Sequence, residues 1–341
     1  MAFNQASEAI GSAQQAMRLR VPFPSACVLY SAALAALGDF EKAIKGLATD
    51  LGPGMEPAQC LAILGNRLLE LGYPGPALEC FKRKVECDPE DTLAHHFVAA
   101  LSGQNPDRPS DEYVRQVFDS CADSFDRQLV EELGYSVPRE LAAAALASSV
   151  RSPPWDVLDL GCGTGLVGVE FAQHTKILVG VDLSPKMIER AGARGIYTQL
   201  TCGDLAVALE GDQCYDLVIA ADVFIYVGKL DAVMPAVRRV LRPGGLLVFT
   251  AESAAGNSAA TAGYWLGVSG RYVHDTNYLN ELARRNGFAT VQLQKTRIRL
   301  ESRRPVMGWL AVWRATTAPY TATTNTTSPN PSAAPQSPTS S

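Results

Sequence analysis

No apolar run in this 341-residue chain approaches the ~18–20 residues needed to cross a bilayer, and the N-terminus lacks the basic-then-apolar layout of a secretory signal. Its eight cysteines include no C-x-x-C pair, so neither a zinc site nor a secreted disulfide framework is indicated. Those absences point to a protein of the reducing cytoplasm, with no membrane association and no metal. The first twenty residues hold one acid, Glu8, and two bases, Arg18 and Arg20. That faintly resembles an organellar transit peptide, although an ordinary amphipathic helix is the simpler reading. A clustered basic face is also missing. Net charge is −5, with 12 basic and 20 acidic residues before position 151, which argues against a nucleic-acid partner. The one basic cluster is Lys295, Arg297 and Arg299, followed by Arg303 and Arg304. Period-two spacing puts the first three on one strand face, either solvated or seating an acidic substrate. From Ala315 onward no charge appears and Thr, Ser, Pro, Ala and Asn dominate. Residues 315–341 are therefore expected to be disordered.

What is present is material for cores, 47% apolar residues over a length that suits two domains. The most informative stretch is Val157-Leu-Asp-Leu-Gly-Cys-Gly-Thr-Gly-Leu-Val-Gly168, followed by Ile177-Leu-Val-Gly-Val-Asp182. An apolar strand ends in a glycine turn, a helix opens near Thr164, and a second strand stops at Asp182. Glycine admits positive φ and close approach of a ligand to backbone amides, and a helix N-terminus favours an anion. Asp182 at a strand tip can accept both hydroxyls of a ribose. Gly163-Thr-Gly165-Leu-Val-Gly168 also fits the dinucleotide pattern G-x-G-x-x-G, a weak signal alone. Asp159 argues against NAD, because its carboxylate would repel a pyrophosphate, whereas it suits a ligand carrying an amine.

Asp159-Leu-Gly161-Cys162-Gly163-Thr164-Gly165 resembles motif I of the class I S-adenosylmethionine-dependent methyltransferases. Four later segments match that family in order. Val179-Gly-Val-Asp182-Leu183-Ser-Pro-Lys-Met187 resembles its acidic loop. Gly203-Asp204-Leu205 resembles the segment whose Asp bonds the adenine amine. Tyr215-Asp-Leu-Val-Ile-Ala-Ala-Asp222-Val-Phe and Leu241-Arg-Pro-Gly-Gly-Leu-Leu-Val-Phe-Thr250 resemble its fourth and fifth strands. The resemblance implies S-adenosylmethionine as cofactor, with Asp182 on the ribose and Leu183 or Met187 on the adenine face. Asp222 would either touch the methionyl amine or cap its turn. Cys162 is most simply a small residue that fits the turn. Strand–helix alternation over residues 151–314 predicts a Rossmann-like, mostly parallel sheet; the resemblance implies seven strands, with an antiparallel hairpin at the edge formed by 288–300 and 306–314.

Residues 1–104 repeat with a 34-residue offset. Gly38-Asp-Phe40 falls on Gly72-Tyr-Pro74, Ala43-Ile44 on Ala77-Leu78, and Leu47 on Phe81. Helix, glycine turn and alanine-bearing helix at this period resemble the tetratricopeptide repeat, so an all-α domain is expected. Such a domain could bind a peptide or partner protein, or serve only as a structural extension or dimerisation platform. His95-His96 diverge by about 100° on a helix and cannot share a metal. Residues 105–150 read as a linker, Asn105-Pro-Asp-Arg-Pro109, and an amphipathic lid. Tyr113, Val117 or Phe118, Ala122, Phe125 and Leu129 recur there at helical spacing. Gly270-Arg-Tyr272-Val-His274 and Pro305-Val-Met-Gly308 also look like bacterial methyltransferases that carry such repeats.

Methyl transfer from a sulfonium mainly requires orientation and exclusion of water. A general base is needed only for a protonated nucleophile, and His274, Tyr226 and Tyr272 are the candidates. His274 follows a Gly-, Ala- and Ser-rich insertion, 253–271, expected as a mobile loop over the substrate. Tyr226 is expected to line the substrate pocket. The Asn-Pro-Pro-Tyr tetrad of amino-group methylases is absent, its place being taken by Ala220-Ala-Asp-Val. A small molecule, or a protein held by the repeats, therefore suits the acceptor better than a nucleic-acid base. The reading from another class is a non-catalytic scaffold.

Overall fold

The computed structural model describes residues 24–52, 54–132, 134–253, 262–301 and 304–316. The transit-peptide reading, most of the expected disordered tail, residues 254–261 and Arg303 lie outside them.

Five helices open the described chain: α1 (Pro24–Ala36), α2 (Phe40–Leu51), α3 (Pro57–Glu70), α4 (Pro74–Cys87) and α5 (Thr92–Leu101). Their starts are written locally. Pro57 and Pro74 take first-turn positions where a missing N–H costs nothing. Asp39 and Asp91 accept the free amides of Lys42 and Ala94. Gly38 and Gly72 turn the chain between paired helices at φ of +89° and +82°. Ala43, Leu47, Leu64, Leu68, Ala77 and Phe81 fill the interior of this unit. At Gly65 a Cβ would sit 2.8 Å from the Phe81 ring, so a bare backbone there lets α3 and α4 close.

A sixth helix, α6 (Asp111–Cys121), begins at the Ser110 cap and runs on through turns at Phe125–Arg127 and Gln128–Glu132 to α7 (Val137–Ser148). Beyond it strands and helices alternate. They are β1 (Trp155–Leu160), α8 (Leu166–Phe171), β2 (Thr175–Asp182), α9 (Pro185–Ala193), β3 (Gln199–Cys202), α10 (Leu205–Ala208), β4 (Tyr215–Ala220), α11 (Val233–Val240) and β5 (Leu241–Ser253). The order β3-β2-β1-β4-β5 is parallel throughout, which requires helices on both faces. Period-two alternation supplies both cores. Val157, Leu217 and Val248 point to one side with Phe171 and Leu141. Leu158, Val218 and Phe249 point to the other with Met234 and Trp313.

The chain then forms β6 (Tyr264–Leu266), β7 (Tyr272–His274), α12 (Thr276–Arg285), β8 (Phe288–Glu301) and β9 (Arg304–Ala315). β9 runs antiparallel to β5 and β8 antiparallel to β9, the hairpin expected at the edge. Among the described residues the sheet holds nine strands, however, where seven were expected. β5 outlasts β4, which pairs with it only to Phe249. β7 takes over that edge at Glu252 and Ser253, and β6 pairs with β7. The described end of the supposed mobile insertion is therefore sheet, laid across the carboxyl end of β4.

Two further departures concern the basic stripe and the domain joint. The register shifts between Arg297 and Arg299, leaving Lys295 and Arg297 exposed while Arg299 turns inward to 5% exposure. The helical unit is fastened to the β6–β7 hairpin. Asn105 donates to the Tyr264 carbonyl (2.9 Å) and accepts from the Leu266 amide (2.8 Å). His96 Nε2 lies 2.8 Å from the Gly270 carbonyl, and its ring stacks on Tyr113 at 3.9 Å.

Candidate functional site

The carboxyl ends of β1, β2 and β4 open into a cavity of about 430 Å³, where ligands bind in doubly wound sheets. Its floor is the glycine turn after β1, with Gly161, Gly163 and Gly165 at φ of +61°, +53° and +88°. At Gly161 a Cβ would fall 2.6 Å from Val223, so this turn and the loop after β4 can meet only if the residue is glycine. Asp182 ends β2 and lines the cavity. One of its oxygens accepts the Gly163 amide and the other the Ser184 amide, both at 2.9 Å. Burial pushes its carboxyl up, and those two amides pull it back. Each carboxylate oxygen can accept twice, so both keep acceptor capacity for a diol.

Gly161, Cys162, Gly163, Thr164, Asp182, Leu183, Asp204, Leu205, Asp222 and Tyr226 share this wall. Asp204 is partly committed already: Oδ1 accepts the Ala206 amide (2.8 Å) and Oδ2 the Arg108 guanidinium (2.6 Å). Burial alone would raise its carboxyl, but those two partners outweigh it and hold it low. Asp222 adopts φ of +55°, locked by Thr250, whose hydroxyl accepts its amide and donates to its Oδ1. Cys162 is buried and its thiol is pushed far up, so it fills the turn without reactive chemistry.

Other expected residues are not on the wall. Asp159 lies under the turn, 1% exposed, accepting the Tyr197 hydroxyl at 2.7 Å. Met187, Gly203 and Gly165 support the loops from behind, and Met187 is fully buried. His274 is fully buried, its Nε2 at 3.1 and 3.0 Å from the Val227 and Gly228 carbonyls, and burial lowers its pKa to about 4. Tyr272 is equally buried, packed with Tyr264, Leu266 and Ala100. Neither reaches the cavity, and both pin the β6–β7 hairpin; the base role expected of them is corrected accordingly. Of the three candidates only Tyr226 lines the cavity, with Phe118 against its ring at 5.2 Å.

The roof is α6 and the turns after it. Phe118 and Phe125 meet edge-to-face at 6.0 Å, and Phe125 lies 4.0 Å from where a Cβ of Gly163 would stand. Tyr113, on the same helix, packs on His96 instead and leaves the cavity. At the end away from Asp182 stand Tyr135, Arg271 and Arg299. Arg299 pairs with Glu252, and Arg271 Nη1 with both Glu301 oxygens at 3.1 and 2.9 Å. Sequence spacing had put Arg299 on a strand face without showing that the face turns inward, and Arg271 lay in the Gly270–His274 segment without a role assigned to it. The register shift in β8 and the added strand β7 bring them here.

Comparison with known proteins agrees with this geometry. Residues 157–245 match the family model of the methyltransferase domain. The chain is 26% identical over 164 residues to the malonyl-[acyl-carrier protein] O-methyltransferase of Serratia marcescens, covering 48% of this chain and 62% of that protein. It is 32% identical over 127 residues to the ubiquinone biosynthesis O-methyltransferase of Cereibacter sphaeroides, covering 35% and 48%. It thus spans between about half and three-fifths of these relatives' lengths. Among solved structures, the magnesium protoporphyrin IX methyltransferase of Synechocystis with bound S-adenosylmethionine is 19% identical, covering 60% of this chain and 97% of that one at a TM-score of 0.46. Residues 157–245, which match the methyltransferase domain, lie on the Rossmann-like sheet.

Proposed function

We propose that this protein transfers a methyl group from S-adenosylmethionine to an oxygen of a small-molecule acceptor. One observation carries the reading. A single roofed cavity joins the Asp182 and glycine-turn end to a second polar end at Tyr226, Arg271 and Arg299. When bound, S-adenosylmethionine supplies an activated methyl on a sulfonium. Asp182 would hold the ribose, Leu183 and Leu205 the adenine, Asp204 its amine, and Asp222 the methionyl ammonium. Tyr226 and the aromatic pair Phe118 and Phe125 exclude water from the point of transfer and align the acceptor. No buried histidine serves as base, so an acceptor already ionised at neutral pH suits the site.

The 34-residue spacing supports a tetratricopeptide-like reading of the helical unit. We take residues 151–314 as the transferase and residues 105–150 as its lid. Calorimetric titration with S-adenosylmethionine, S-adenosylhomocysteine and NAD tests the cofactor. Micromolar binding of the sulfonium pair, weakened at least tenfold (about 1.4 kcal/mol) by Asp182→Ala, is expected. Binding of neither would leave the non-catalytic scaffold.

A further inference from the structure

The cavity end opposite Asp182 holds two guanidiniums, which a pocket for a neutral acceptor has no reason to bury. Arg299 reaches it because the register shift in β8 turns it inward, where Glu252 pairs with it and Asp222 lies 4.0 Å away. Arg271 reaches it because it precedes β7. Its Nη1 alone is engaged, by Glu301, and its Nε and Nη2 have no hydrogen-bond acceptor among the described residues. Glu252 and Glu301 do not line the cavity, whereas Asp222 does, 4.0 Å from Arg299, so the donors left free toward a ligand are chiefly those of Arg271. A guanidinium fork with free donors matches an oxyanion in a two-point contact that an amide or ether cannot reproduce.

The residue beside Arg271 is held from the other domain. Gly270 gives its carbonyl to His96, and Asn105 ties β6 with two hydrogen bonds. A Cβ at Gly270 would meet Phe97 and Tyr113 at 3.3 Å, so the hairpin is seated directly on α5 and α6. The hairpin that delivers Arg271 thus takes its place from the helical unit.

We propose that the acceptor carries a carboxylate, or an oxyanion of like shape, that docks on Arg271 and Arg299, and that Asn105 and His96 are positioning residues for that seat. The proposal rests on the methyl-transfer reading above and names its substrate class. It is tested on the full chain saturated with S-adenosylhomocysteine, titrated with benzoate, phenyl phosphate and neutral benzamide. Benzoate is expected to bind at least tenfold tighter than benzamide. Arg271→Gln should erase that margin and Arg271→Lys restore part of it, with affinity for S-adenosylhomocysteine unchanged in both. Phenyl phosphate binding tighter than benzoate would assign the oxyanion to a phosphate. Asn105→Ala should weaken benzoate severalfold, again without affecting S-adenosylhomocysteine, a split that general loosening of the fold would not give. Equal binding of benzoate and benzamide overturns the anion seat alone. Loss of S-adenosylhomocysteine binding in Arg271→Gln also overturns it, by assigning the arginine to the cofactor's own carboxylate. Failure of the wild-type chain to bind S-adenosylhomocysteine overturns the methyl-transfer reading itself, and the seat with it.

Discussion

At the scale of single residues, Asp159 and His274 show how far residue type and residue state can diverge. Both were legible as titratable groups in the right motifs, but spacing could not say which way either side chain points. The third glycine of the pattern, Gly168, answers for Asp159. A Cβ there would lie 2.4 Å from the Tyr197 hydroxyl, so the glycine makes room for the tyrosine that binds this carboxylate. Burial drives the Asp159 pKa up to about 7; the Tyr197 bond opposes that shift and the Asp182 charge adds to it. The native state therefore holds a proton that the unfolded chain loses between about pH 4 and 7, so this group's contribution to stability falls as pH rises through that window. At ~1.4 kcal/mol per unit the loss reaches about 4 kcal/mol. His274 works in the opposite sense. Its pKa is lowered to about 4, so its contribution is present above the ordinary imidazole range and lost as pH falls toward 4. Asp159→Asn keeps an acceptor for Tyr197 and removes one side of this opposition. The Tm difference between variant and wild type should grow from near zero at about pH 4 to several degrees at about pH 7, then level off. Differential scanning fluorimetry across that range decides it, and a difference independent of pH would show that Asp159 does not ionise as argued.

At the scale of elements, Phe118, Phe125 and Leu129 at helical spacing before the first strand marked the amphipathic segment proposed as the lid; these side chains line the cavity, and Phe125 lies beside Gly163. Its fastening was not readable, because each partner comes from another element. Asp119 accepts the Ser184 hydroxyl, Asp123 pairs with Arg190, and Asp126 with Thr164 and Arg194, so an acidic edge of the lid meets α9 and the glycine turn. The β6–β7 hairpin escaped notice for a different reason. Strands of three residues give too short an alternation to separate from loop. Asp123 is 83% exposed and Asp126 46%, and surface pairs of this kind contribute only about 0.2–1 kcal/mol each. The roof should therefore open readily, and its opening should respond to salt. Arg194→Ala removes the bond to Asp126 and to the Thr164 carbonyl together. Release of S-adenosylhomocysteine, followed by stopped-flow fluorescence, is expected to quicken about two- to fivefold at low salt, consistent with ~0.5–1 kcal/mol. The gap from wild type should narrow as salt rises. An unchanged release rate would mean that departure does not pass through the lid.

For the whole molecule, the joint between the helical unit and the sheet is built from polar groups that bond across it. Stacked helices of this kind bury their apolar faces only against neighbours, and among the described residues the last of the five is α5. Here α5 meets the hairpin instead of a further repeat. His96 lies at the centre, 6% exposed, bonded to the Gly270 carbonyl and stacked on Tyr113. Its neighbour His95 faces elsewhere, 2.7 Å from the Pro89 carbonyl, as the 100° step between them requires. Burial lowers the His96 pKa, with the Gly270 bond opposing the shift, so its contribution to the joint is lost as pH falls through and below the ordinary imidazole range. His96→Ala removes the stack and leaves a buried carbonyl without its donor, a cost of about 1–3 kcal/mol placed entirely at the boundary. Calorimetric unfolding of the wild type near neutral pH should show one transition. In the variant the helical unit should melt first as a separate peak, and mild acid should begin to split the wild-type transition in the same way. A single peak, merely shifted down in the variant, would locate the cooperativity elsewhere than in this joint. Two peaks would show that the hairpin beside the cavity takes its stability from the helical unit and passes that dependence on to the seat of Arg271.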